Sequence, residues 1–193
     1  MKTIRATTAA ALALLAGCFG SNVSAVDLDL ALSSQSGAAE LIVDSSSVAT
    51  GGADILVGML FNENNDVVGR AALMVRGAAV AGQPYNLGLG AALYYAGIDN
   101  PSKSVGALAL GFSAKYLFPG NTPVTLGADF FYAPDITTFS DGDSLADFRI
   151  RIEANVLPSA VAFMGYRLMT TDLIGAPTHD IDDNIHVGIR ISF

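Results

Sequence analysis

Between residues 145 and 157 charged and apolar side chains alternate. Asp147, Arg149, Arg151 and Glu153 take one set of positions, and Phe148, Ile150, Ile152, Ala154 and Val156 the other. On a β-strand that spacing puts the four charges on one face. The same phase assigns Asp27, Asp29, Arg70, Arg76, Lys115, Asp129, Arg167, His186 and Arg190 to the polar faces of their own segments. Charges of both signs gathered inside a small barrel suit two chemistries. One is a weakly selective aqueous pore, whose ion traffic Lys115, Arg149, Arg151, Arg167 and Arg190 would control, with Asp129, Asp147 and Glu153 as counter-charges. The other is an interlocked network of ion pairs that plugs a narrow lumen.

Other chemistry finds little footing. The chain has two histidines and no G-x-S-x-G, P-loop or metal-ligand spacing, so no catalytic residue, metal or cofactor is expected. His179 with Asp180 or Asp182 comes nearest to a hydrolytic group, while His186 has Ser192 far along its own segment. Ten carboxylates (Glu63, Asp66, Asp99, Asp135, Asp141, Asp143, Asp172, Asp180, Asp182 and Asp183) are assigned to outer loops, against Lys103 alone. There they would form either a solvated, repulsive surface or sites for divalent cations bridging to lipopolysaccharide. The loops offer a binding or adhesion role as the alternative to a channel.

The elements that must position these residues are strands. The chain is 51% hydrophobic and 15% charged, yet beyond residue 25 no run approaches the ~18 apolar residues of a spanning helix. Ten segments alternate with period two: 26–33, 38–44, 53–61, 67–79, 85–96, 104–118, 122–133, 145–157, 160–169 and 184–193. All seven prolines fall in or beside the connections, where no ladder donor is needed. A soluble barrel or sandwich would put charge on its water face, but residues 85–98 and 104–114 carry none. The alternative fits: a transmembrane antiparallel β-barrel of ten strands, apolar outside and small or polar within. Slippage of one hairpin in 26–61 would give eight. With the termini on the inner side, residues 134–144 and 170–183 are the long outer loops. Asp27 and Asp29 then meet Arg190 where the barrel closes. Tyr94, Tyr95, Tyr116, Phe118, Phe130, Phe131 and Tyr132 are read as the interfacial aromatic girdle. The net charge of −8 excludes a nucleic-acid partner.

Residues 1–25 have the pattern of a cleaved export signal: Lys2 and Arg5, an apolar stretch over residues 6–16, and small residues at Val23-Ser24-Ala25. Residues 26–193 then form one barrel domain. Leu15-Ala16-Gly17-Cys18 also matches a lipoprotein cleavage box, so Cys18 is either lipidated or discarded with the signal.

The chain ends on Ile185, Val187, Ile189, Ile191 and Phe193, an alternating apolar run closed by Phe. This looks like the C-terminal signal that the outer-membrane assembly machinery reads. Gly127-Ala128-Asp129-Phe130-Phe131-Tyr132-Ala133-Pro134-Asp135, Glu153-Ala154, Gly165-Tyr166-Arg167-Leu168 and the Val187-Gly188-x-x-x-Ser192-Phe193 ending together resemble the YfaZ family of bacterial outer-membrane proteins. The resemblance runs from about residue 85 onward, and Cys18 departs from it. It implies a monomeric outer-membrane barrel among lipid and lipopolysaccharide, porin-like in form, with no established activity.

Overall fold

The computed structural model describes residues 25–45, 52–77, 83–120 and 124–193; the export signal and Cys18 lie outside them, apart from the backbone of Ala25. Eleven strands follow one another: β1 (Ala25–Ser33), β2 (Ser36–Ser45), β3 (Ala53–Asn62), β4 (Val67–Arg76), β5 (Tyr85–Ile98), β6 (Lys103–Phe118), β7 (Val124–Ala133), β8 (Thr138–Ser140), β9 (Gly142–Leu157), β10 (Ala160–Leu173) and β11 (His179–Ser192). Each long strand pairs antiparallel with its sequence neighbours, β7 pairs with β9, and β1 pairs with β11. The ring of ten is therefore closed. The three-residue β8 adds to β6 beyond the end of β7, at Val105–Ala107. Closure leaves none of the ten long strands with an open edge, which is what a sheet in lipid requires.

Period-two alternation sorts the side chains in two. Leu89 and Leu110 are each 72% exposed on the outer face, and Leu87, Leu93, Phe112, Ile152, Met164, Ile185 and Val187 share that face. A soluble monomer exposes apolar patches of only a few hundred Å². A belt that runs round the barrel must face lipid, and this one places the chain in the bacterial outer membrane. Ile185, Val187, Ile189 and Ile191 belong to the belt, and Phe193 follows β11 at 78% exposure.

Tyr94 and Phe131, expected in the aromatic girdle, point inward and are buried. Neighbours on a strand face opposite ways, so Tyr95 outside forces Tyr94 inside, and Phe130 and Tyr132 outside force Phe131 inside. The expected outer loop at 170–183 is also shorter. β10 runs on to Leu173 and β11 begins at His179, leaving only residues 174–178 between them. The pairing slips where Met169 faces Asp182 but Thr170 faces Asp180. That bulge breaks the alternation and turns the adjacent Ile181 and Asp182 both inward.

Candidate functional site: the charged lumen

Strand pairing arranges the inward charges in rows around the barrel wall. One row runs Arg190, Asp29, Glu40, Gly58, Arg70, Tyr94 across β11, β1, β2, β3, β4 and β5. A second runs Asn86, Lys115, Gly127, Arg151, Gly165, His186 across β5, β6, β7, β9, β10 and β11. Glycine sits beside the long cations in both. A Cβ at Gly58 would lie 3.1 Å from that of Glu40, and one at Gly165 would lie 2.8 Å from that of Arg151 and 2.9 Å from His186 Nε2. The missing side chains leave room for guanidinium groups to cross the lumen.

Two clusters result. In the first, Glu40 accepts from Arg70 Nη1 at 2.7 Å on one oxygen and from Arg149 Nη1 at 2.9 Å on the other. Asp147 lies 3.8 Å from Arg149 Nε and accepts from the Tyr94 hydroxyl at 2.8 Å. Arg70 also stacks on Phe131, 4.6 Å from the ring centre. In the second, Arg190 donates to Asp29 through Nε at 2.6 Å and Nη2 at 2.8 Å, and Arg151 Nη1 donates to Asp29 at 2.9 Å. Glu153 sits 2.6 Å from Arg151 Nε and 3.5 Å from Arg190 Nη1. Asp29 thus ties the first strand to the last. Asp27 faces Ser192 and makes no ion pair among the described residues. Nearer the termini, Arg76 pairs with Asp44 at 3.1 Å and Asp54 at 2.8 Å. Arg167 reaches Asp182 at 3.7 Å. Lys115 and Asp129 form no ion pair among the described residues, and His186 stands edge-on to Phe163 with ring centres 6.1 Å apart.

Sequence reasoning left Glu40, Asp44 and Asp54 out of the lumen, although they complete these pairs. It also put Asp66 and Asp182 in solvated loops, and both are buried. Asp66 accepts from Asn62 Nδ2 at 2.9 Å and the Asp99 backbone N–H at 3.0 Å, and it bonds His179 Nε2 at 2.8 Å. It ties three loops across the mouth far from the termini. Asp182 accepts from Ser36 Oγ at 3.0 Å and Asn184 Nδ2 at 2.9 Å. Asp141 and Asp172 also serve the loops: Asp141 accepts from the Ser104 N–H at 3.1 Å, and Asp172 from Ser144 Oγ at 2.7 Å and Thr178 Oγ1 at 2.6 Å. Among the described residues no group of three metal-ligating side chains converges.

The lumen is filled unevenly along its axis. Towards the mouth far from the termini, Leu60, Val68, Ile98, Val105, Phe131, Leu145, Met169, Leu173 and Ile181 pack into one apolar core. The space beneath it, between Leu60, Glu40, Arg70, Tyr94 and Arg149, is about 30 Å³. Towards the termini a cavity of about 240 Å³ opens between Asp27, Asp44, Asp54, Arg76, Asn86, Ser113, Lys115, Asp129 and Arg190.

No protein-family model and no curated protein matches the chain. Among solved structures, the outer membrane channel DcaP of Acinetobacter baumannii aligns with 86% of this chain and 54% of its own, at 14% identity and a TM-score of 0.44. Outer-membrane expressed OmpT of Vibrio cholerae aligns with 82% of this chain and 56% of its own, at 14% identity and a TM-score of 0.38. The chain spans about half the length of either. On its own closed sheet and its apolar belt, the chain is an outer-membrane β-barrel.

Proposed function

We propose that the protein is a non-conducting outer-membrane barrel of the YfaZ type, closed across its distal half and hollow only at the end that carries the termini. The packing of Phe131, Leu145, Met169, Leu173 and Ile181 across the lumen carries this reading. A hydrated ion would have to pass an apolar core, beneath which lies a space of only about 30 Å³. Below the plug, the Glu40 and Asp29 clusters hold Arg70, Arg149, Arg151 and Arg190 in ion pairs along the cavity wall. The charged lumen is then an internal scaffold, and the barrel acts through its two ends. The protein is not an enzyme in this reading. His179 is committed to Asp66 and His186 to an aromatic neighbour. It works as a monomer among lipid and lipopolysaccharide, delivered by the outer-membrane assembly machinery through Ile185–Phe193.

The porin-like reading has one observation in its favour, the charge-lined cavity of about 240 Å³, which forms half of a channel. Potassium leak from vesicles containing the refolded protein separates the two. The closed barrel predicts leak at the rate of protein-free vesicles. Leak that grows with protein-to-lipid ratio would reject it.

A further inference from the structure

The cavity at the terminal end is walled both by members of the ion pairs, Arg149, Arg151 and Arg190 among them, and by charges that those pairs leave over. Lys115 and Asp27 both line it, and among the described residues neither has an ion pair or a side-chain hydrogen bond. Their placement in the ring is the informative feature. β1 and β6 are five strands apart in either direction round a ring of ten, so the two side chains rise from opposite walls. Opposite charges face each other across the cavity without meeting. Five guanidinium groups line the cavity and each is paired: Arg76 with Asp44 and Asp54, Arg70 and Arg149 with Glu40, and Arg151 and Arg190 with Asp29. On the Lys115 side, Gly127 stands next in the row, with no side chain between the Lys115 stem and Arg151, and Lys115 lines the cavity. Asp129 shares that wall opposite Arg149 in the register and, like Asp27, forms no ion pair among the described residues; of the two carboxylates, Asp27 is the one across the cavity from Lys115.

A fixed cation facing a fixed anion across a gap fits a molecule with the reverse arrangement of charges. We propose that this cavity binds a small zwitterionic solute, its anionic group on Lys115 and its ammonium on Asp27. The volume, about 240 Å³, is below the ~300 Å³ lower end of ordinary ligand pockets and suits a molecule of amino-acid size. Water alone would solvate both charges separately. A zwitterion satisfies both at once, and each arm adds one charge-assisted hydrogen bond. The site deepens the closed-barrel reading, on which it rests only for being a dead end.

The test is titration calorimetry on the full refolded barrel in detergent with three matched probes: β-alanine, propionate and propylamine. β-Alanine should bind about tenfold or more tighter than either singly charged probe, the worth of one charge-assisted hydrogen bond. Lys115→Gln should lower its affinity to that of propylamine, and Asp27→Asn to that of propionate. Among the described residues neither holds a partner, so both variants should keep the heat-modifiable gel mobility of a folded barrel. Each reads one arm without the other. No binding of β-alanine, equal affinity for β-alanine and propionate, or unchanged affinity in the folded variants would overturn the site. Vesicle leak with β-alanine binding retained would reject the closed barrel and leave the site standing.

Discussion

Glu40 holds two buried guanidinium groups, Arg70 and Arg149, and among the described residues no other is bonded to both. Removing one partner of a buried pair leaves an uncompensated charge in a low dielectric, at a cost of about 3–5 kcal/mol. Glu40→Gln is therefore expected to lower the unfolding free energy in lipid vesicles by that order, read from urea titration. Lys115→Gln removes an unpaired charge and should stay within about 0.5 kcal/mol of the parent. Equal effects would mean that the pairs around Glu40 stabilise nothing. Gly165 gives a steric counterpart. A Cβ there would meet the Ile150 carbonyl oxygen at 2.5 Å, which belongs to the backbone and cannot swing away. Gly165→Val should cost about 1–3 kcal/mol in the same titration. The sequence shows Arg149 and Arg151 plainly because apolar residues alternate with them. It hides Glu40, because Ala38-Ala39-Glu40-Leu41-Ile42-Val43 places small or apolar residues on both sides of the strand and so reveals no inner face.

Among the elements, strand existence and pairing order were readable, while the ends on the distal side were not. Eight of the ten expected segments start and stop within a few residues of the strands observed. The exception is the β10–β11 hairpin, which is longer at both inner ends. Its sequence includes Thr170, Thr171, Asp172, His179, Asp180 and Asp182, which reads as loop chemistry. The strands continue because Thr171 donates to the Ser144 carbonyl at 2.7 Å, and the bulge turns Ile181 into the core. Such a shift of phase depends on the partner strand, which local alternation does not encode. Asp66 has a similar origin. An aspartate after a turn looks solvated until the β5–β6 turn and β11 close over it. Asp66→Ala should therefore release three loops at once. Hydrogen exchange should quicken at Asn62–Asp66, at Asp99 and at His179–Ile181, while the β9 amides keep their protection. Quickening at the β3–β4 turn alone would show that the bonds across the mouth do not couple the loops.

The whole molecule is an inverted protein, apolar outside and charged within, and its two halves differ. The outer face commits it to lipid. Leu89→Arg, in the middle of β5, should cost about 2–4 kcal/mol of stability in the bilayer. It should also reduce the folded fraction recovered in vesicles. Tolerance of arginine there would argue for an aqueous surface. The inner face carries an apolar core in its distal half and a charge-lined cavity in its terminal half. That asymmetry was not legible from composition, because the plug is built from apolar residues scattered a few at a time over eight strands. Only the closed barrel brings Val68, Ala96, Val105, Phe131, Leu145 and Ile181 into one cluster. The most direct test of the closed lumen is current through a planar bilayer containing the refolded, heat-modifiable barrel. The account predicts a silent membrane at any applied voltage that leaves the bilayer intact. Discrete, reproducible conductance steps from the unmodified protein would contradict it.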